Sequence, residues 1–374
     1  MFAIWLSQTN QLSGAQVGIL FSCNSIAAVS MQPLLGFMQD KLQRGQQLLW
    51  LNCCFLLGTG PFFSFVYSPL LQSQFYLGAI LGAFYIALVF LAMAGVVEAY
   101  IERLSRLSNF EYGQVRLWGS LGWAAAAFFS GALINKGGEV IFWAATIAAV
   151  VPMLILGLLG FEMPESKATH DQTRIKFDDV KTVFKLKKFY YLTIYVLGVA
   201  TIYTVYDQQF PVFYASIFAS VEEGNQMYGY LNSMQIFLEA GGFFLAPLIV
   251  NRIGVKTSLL LAGGIMTIRI FGSGLFDGQI SLSLIKLLHA AELPILMVAI
   301  FKYINFHFDN RLSSTLFLLS FMFVMQCGAA ALAPIFGSLY DTWSFQPVYL
   351  LMASIATVFL FISAFALEND AKRM

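Results

Sequence analysis

The chain has 374 residues and a net charge of +1, with 59% hydrophobic residues against 11% charged. A soluble chain of this size carries roughly twice that charged fraction, and the mean hydropathy is +0.74, so a soluble globular domain is excluded. The near-neutral balance points to no nucleic-acid or acidic-surface partner.

A membrane-crossing helix needs about 20 apolar residues. Eleven stretches qualify, near 15–38, 47–67, 75–101, 115–134, 140–160, 189–218, 227–250, 256–276, 281–303, 313–338 and 346–367. The longest polar interruption runs from Glu162 to Lys188. It divides the chain into a block of five spans (1–161), a charged linker (162–188) and a block of six spans (189–374). Two helical blocks joined by such a linker are the plan of transporters built from repeated halves. The opening MFAIWLSQTNQLSGAQVGIL reads as the tail of one span, a short loop and the start of the next, so a further helix is expected upstream. It has no basic n-region and no small-residue cleavage site, so no signal peptide is expected.

Basic residues give the orientation. Lys41, Arg44, Arg103, Arg106, the linker lysines, Arg252, Lys256, Lys302, Arg311, Lys372 and Arg373 all fall in one set of loops, and the opposite set holds only Lys136. The first set, with the C-terminus, is expected to be cytoplasmic. The loop Gly36 to Lys41 after the first span is echoed by Asn251 to Lys256 after the seventh. Cys23, Cys53, Cys54 and Cys327 lie in apolar segments without metal-ligand spacing, so neither a metal site nor a disulfide framework is expected.

Charged groups inside the spans carry the functional signal, because each is costly at membrane depth unless paired or wet. In the third span Glu98 sits in AGVVEAYIERLSR, and in the fourth Arg116 and Trp123 share one face. Two readings stand. A carboxylate, a guanidinium fork and a flat indole suit the hydroxyls and apolar face of a sugar ring. Equally, Glu98 and Arg116 are a structural pair and Trp123 is packing. In the sixth span Tyr203 and Asp207 are one turn apart, and in the seventh Asn232, Gln235 and Glu239 share a face. Arg269 lies mid-span in the eighth, and Lys286, His289 and Glu292 step by three through the ninth. Acids, bases and an imidazole in one region are expected to form a network able to hold or pass a proton. Asp207 is open to a purely structural role as the partner of Lys286. A membrane-embedded enzyme has nothing to work with here: there is no nucleophile beside a base, no metal-ligand pair and no phosphate-cradling loop.

The set GFMQDKL, VEAYIERLSRLSNFEYGQVRLWGSLGW, YTVYDQQF, NRIGVK, AGGIMTIRIFGS, IKLLHAAELP and FKYI, in this order, resembles the oligosaccharide:proton symporters of the major facilitator superfamily. This is the lactose, raffinose and sucrose permease group. The resemblance covers nearly the whole chain. It implies an all-α polytopic membrane protein with the major facilitator fold, two pseudo-symmetric bundles totalling twelve helices, of which eleven are seen here. It implies a sugar site at Glu98, Arg116 and Trp123, with Asn232, Gln235 and Glu239 opposite. It implies a proton-coupling set of Tyr203, Asp207, Arg269, Lys286, His289 and Glu292, in which Glu292 is the carboxyl that gains and loses the proton. No cofactor is implied beyond the proton, and the partners are a small sugar and the lipid bilayer. The expected setting is a monomer in a bacterial inner membrane.

Departures from the group sharpen the expectation. Where lactose permeases carry a glutamate after Met-Gly, this chain reads Met234-Gln235-Ile236, and Glu239 replaces a nearby asparagine. A charge pair of lactose permeases is Thr204 and Met325 here, absent on both sides. Both features are similar to the sucrose branch. Sucrose is therefore the expected substrate, with raffinose- or melibiose-type galactosides, or a truncated fragment that does not transport, as the alternatives.

Overall fold

The computed structural model describes residues 1–41, 45–94, 97–98, 101, 104, 112–159, 184–308 and 316–369. Within the described residues, all eleven expected stretches fall on helices. In chain order these are α1 (Gly14–Lys41), α2 (the bent pair Gln47–Leu57 and Thr59–Ser73), α3 (Phe75–Leu91), α4 (Tyr112–Lys136) and α5 (Val140–Leu159). There follow α6 (Lys187–Ser216), α7 (Val221–Ile253), α8 (Val255–Leu275), α9 (Gln279–His307), α10 (Phe317–Trp343) and α11 (Phe345–Ala366). Nine of them are long and apolar enough to cross a membrane singly. The second is broken by 48° at Gly58, and the third is shorter within the described residues. Most of the 162–188 linker lies outside the described residues.

Turn chemistry explains the reversals. Ser220 accepts from the Glu223 N–H and starts α7, whose first turn carries Glu222 and Glu223 against the positive helix end. Gly254 closes the α7–α8 reversal at φ 87°, a left-handed conformation that glycine adopts without strain. This is the reason for the glycine in NRIGVK. Lys256 of the same motif donates to Asn369, and Lys302 donates to Asn251.

The reversals at one end of the molecule carry Glu139, Glu222, Glu223, Asp277 and Asp341 with Lys136, and those at the other carry Lys187, Lys188, Arg252, Lys256 and Lys302. These are termed the acidic and the basic end. Helices from before and after the linker meet along two seams, α1 with α10 and α4 with α7, and both seams are tightest at the acidic end. A Cβ on Gly18 would lie 2.3 Å from the Ala333 carbonyl oxygen, and one on Gly337 would lie 2.3 Å from that of Gly14. Across the second seam, a Cβ on Gly131 would meet the Asn225 oxygen at 2.3 Å. Backbone therefore lies directly on backbone. Further toward the basic end, Gly122 of α4 and Gly241 of α7 have open space where a Cβ would stand. There Trp118, Trp123, Phe237 and Phe244 stand exposed.

Candidate functional site

The site is built by α6, α7, α8 and α9, and local irregularities aim its side chains. In α6 one wider turn, Val196–Ala200, adds a residue ahead of Tyr203 and Asp207 and resets their face. The regular ladder of α9 breaks at Leu288, whose N–H bonds the Ile285 carbonyl at 3.2 Å, between Lys286 and His289. The even stripe expected across Lys286, His289 and Glu292 is thus divided, with Lys286 on one segment and the other two on the next. Gly242 of α7 approaches the Ala290 carbonyl so closely that a Cβ there would lie 2.3 Å from it. That approach brings Glu239 to His289.

The six residues expected to couple protons come together. Arg269 and Glu292 are both fully buried, and Arg269 Nη2 lies 2.8 Å from Glu292 Oε1. Arg269 Nη1 lies 3.4 Å from Asp207 Oδ1, and the same oxygen takes a hydrogen bond from Lys286 Nζ at 2.9 Å. His289 Nδ1 is 2.9 Å from Glu292 Oε1, and the Tyr203 hydroxyl reaches the same ring at 3.0 Å. Glu239 Oε2 stands 3.8 Å from His289 Nε2 on the other side. Arg269 also lies over the rings of Tyr203 and Tyr206, at 4.9 and 5.1 Å, and Lys286 over Phe210 at 5.3 Å. The aromatic faces stabilise cations held away from water. Tyr206 is fixed in turn by a 2.8 Å bond to Ser273.

The charges nearly cancel. Three carboxyls (Asp207, Glu239, Glu292) face two cations (Arg269, Lys286) and one imidazole. The second oxygen of Glu292, Oε2, is buried without a hydrogen-bond partner. Asp207 is both things the sequence left open, the partner of Lys286 and a member of the wider network. Its side chain is 23% exposed, and Glu239 is 21% exposed, so the network touches open space at these two carboxyls. Asp207 lines a cavity of about 360 Å³ with Tyr203, Thr204, Gln208 and Met325. Thr204 and Gln208 also line a neighbouring cavity of about 490 Å³, with Asn24, Ser25 and Gln326. Thr204 and Met325 thus face one space.

Of the expected sugar residues, the structure describes the side chains of Glu98, Trp123, Asn232, Gln235 and Glu239. Trp123 is exposed on α4, and Glu98 is exposed at the described end of its span. The Arg116 side chain lies outside the described residues. Asn232 is half-buried, while Gln235 is buried with its side-chain oxygen unpartnered. Next to them Ile236 packs on Ala124 and Ala127, so Trp123 and Gln235 flank the same α4–α7 seam. Among the described residues no polar contact joins Trp123, Asn232 or Gln235 to the charged network, and no group of acids, histidines and cysteines has the makings of a metal site. Sequence reasoning missed Gln8, Asn135, Asn225 and Asp341, which tie the acidic-end seams. Amides and acids near helix ends look like ordinary turn residues.

A sequence profile of the family described as "LacY proton/sugar symporter" matches residues 1–374. The chain belongs to that family. It is 40% identical to a raffinose permease of Escherichia coli, over 98% of this chain and 88% of that one. It is 39% identical to a lactose permease of Klebsiella oxytoca, covering 99% and 90%, and 37% identical to a sucrose permease of Escherichia coli, covering 100% and 90%. These relatives are transporters rather than enzymes. Among solved structures, the nucleoside transporter NupG superposes with a TM-score of 0.80 at 15% identity, over 98% of this chain and 94% of its own. A bacterial Spinster homologue gives 0.64 at 15% identity, over 97% and 91%. At such identity these two speak for the fold alone. The chain is an all-α, multi-pass proton/sugar symporter of the LacY family in the major facilitator superfamily.

Proposed function

We propose that this symporter carries a disaccharide, sucrose, together with a proton, by alternating access between a 1–161 bundle and a 189–374 bundle joined by the 162–188 linker. The basic end faces the cytoplasm of a bacterial cell, with the C-terminus inside, and the protein works as a monomer in the inner membrane. Glu98, Arg116 and Trp123 hold one ring, and Asn232, Gln235 and Glu239 meet the sugar from the other side. Tyr203, Asp207, Arg269, Lys286 and His289 tune Glu292, which carries the proton.

The observation that carries this reading is the line Glu239–His289–Glu292. One imidazole lies between a carboxyl partly open to space, 3.8 Å away, and a fully buried one at 2.9 Å. A sugar hydroxyl that engages Glu239 changes what His289 does for Glu292, so the two cargoes sense each other through one ring. The choice of sucrose is supported by Ile236 in place of a glutamate and by the joint loss of charge at Thr204 and Met325. Galactoside symport is the second reading. It is favoured by the Glu98, Arg116 and Trp123 set and by the 40% identity to a raffinose permease.

The experiment is medium pH. Lightly buffered, energy-starved cells making the protein receive sucrose, raffinose, melibiose and lactose in turn. Alkalinisation on sucrose alone supports the proposal. A response confined to galactosides moves the substrate to the second reading, and sugar entry without a pH change removes the proton coupling.

A further inference from the structure

The first turn of α1 is incomplete by itself. Ser13 and Gln16 form a reciprocal cap: the Gln16 N–H donates to Ser13 Oγ at 3.3 Å, and the Ser13 N–H donates to Gln16 Oε1 at 3.0 Å. The two amides between them, Gly14 and Ala15, have no partner within the helix, as the first N–H groups of any helix do not. Both find one across the seam. Gly14 donates to Asp341 Oδ1 at 2.7 Å and Ala15 to Asp341 Oδ2 at 2.8 Å, so one carboxylate of α10 uses both oxygens to finish the start of α1. Gln209 Nε2 adds a bond to the Gly14 carbonyl at 3.1 Å.

We infer that Asp341 is the latch of the acidic-end gate, and that its release from Gly14 and Ala15 is the step that opens the cavity to that side. Three observations carry this. The bonds are charge-assisted and aimed at the positive end of a helix, which makes them stronger than neutral hydrogen bonds. The surface beneath them is Gly14 on Gly337 and Gly18 on Ala333. Glycines leave no side chain to lock that end of the seam; further along it Ser22 Oγ donates to the Ala330 carbonyl at 2.6 Å, and the remaining contact is apolar packing. The other seam is held by neutral amides, which bind more weakly: Asn225 with Gln8 at 2.9 and 3.1 Å, Asn225 with Asn135 at 3.0 Å, and Asn135 with the Glu222 carbonyl at 2.7 Å. Asp341 is exposed, so water takes over its oxygens once the seam parts, and the latch closes again without a large barrier.

The test reads the gate and not the cargo, so it stands apart from the choice of sugar. The four native cysteines are replaced by serine, and spin labels are placed at Ser73→Cys and Gln279→Cys, on opposite sides of the acidic end. Distances are measured in lipid without sugar. Asp341→Asn keeps the shape but turns an NH2 toward one of the two amides. Ala15→Pro removes one donor at a helix position where proline is tolerated. We expect the long-distance population to rise about tenfold relative to the short one for Asp341→Asn and about threefold for Ala15→Pro, in line with charged and single hydrogen bonds. Asn225→Ala is expected to do less than Asp341→Asn. A purely structural role would lower the yield or melting temperature of Asp341→Asn and leave the two populations in their parental ratio. That result, with an unchanged ratio in Ala15→Pro, overturns the inference, as does a larger opening in Asn225→Ala.

Discussion

Glu292 lies 2.8 Å from Arg269 with both side chains wholly removed from solvent, yet one Glu292 oxygen has no hydrogen-bond partner. The pair is therefore an asymmetric one. Arg269 divides itself between Glu292 and Asp207, and the second Glu292 oxygen is left without a partner.

Removing that carboxyl separates the two cargoes. For Glu292→Ala we expect uphill accumulation of sugar to vanish while exchange across equal sugar concentrations persists. Counterflow in loaded vesicles checks this, and loss of exchange as well would remove Glu292 as the dedicated proton site.

Arg269→Ala leaves Glu292 and Asp207 facing each other without their shared cation. Breaking a buried pair from one side costs about 3–5 kcal/mol, so a large drop in melting temperature is expected. The double variant with Glu292→Ala should recover part of it. Strict additivity of the two losses would show that they do not interact.

Asp207 and Lys286 share one 2.9 Å bond. Asp207→Ala strands a buried ammonium, and Asp207→Ala with Lys286→Ala removes both charges. We expect the single variant to be poorly produced and the double variant to return most of the membrane-inserted protein, measured by immunoblot of washed membranes.

Gly131→Val places a branched side chain where a Cβ already meets the Asn225 oxygen at 2.3 Å and the Gln226 Cα at 2.6 Å. The α4–α7 seam cannot close around it. Binding of a non-transported sugar analogue from the acidic side should speed up several-fold, and stopped-flow measurement of that on-rate decides the matter.

Gln235→Gly with Ile236→Glu rebuilds the galactoside-type pattern. Ile236 is 7% exposed and packs on Ala124 and Ala127, so the new carboxylate enters the α4–α7 seam beside Trp123. Weaker sucrose uptake is expected; unchanged uptake would place specificity elsewhere.

The spans were legible because membrane helices need long apolar runs, and the charged network because Arg269, Lys286 and Glu292 stand out within such runs. Their pairing was not legible: that Arg269 bridges to Glu292 while Lys286 takes Asp207 depends on the wide turn before Tyr203 and on the break at Leu288. Neither the bend at Gly58 nor that break leaves a mark in hydropathy. The seams were hidden for another reason. Gly14, Gly18 and Gly337 act through what they lack, and an absent side chain gives no periodic signal. Ser13 and Gln16 do carry a capping signature, and reading it would have raised the question of where the Gly14 and Ala15 amides go.

The half of the latch that α1 contributes is made of main-chain amides. An alanine scan of this helix would register at Gly14 only through the crowding of a Cβ 2.8 Å from Asp341 Oδ1, not through the bonds, because alanine keeps every N–H that it meets. As far as these bonds are concerned any residue with an N–H serves at position 15, while position 14 is held to glycine by the space beside Asp341 and Gly337. Mutational tolerance at Ala15 therefore says nothing about the importance of its amide, and the chemical side of the constraint is recorded in Asp341 on the opposite helix.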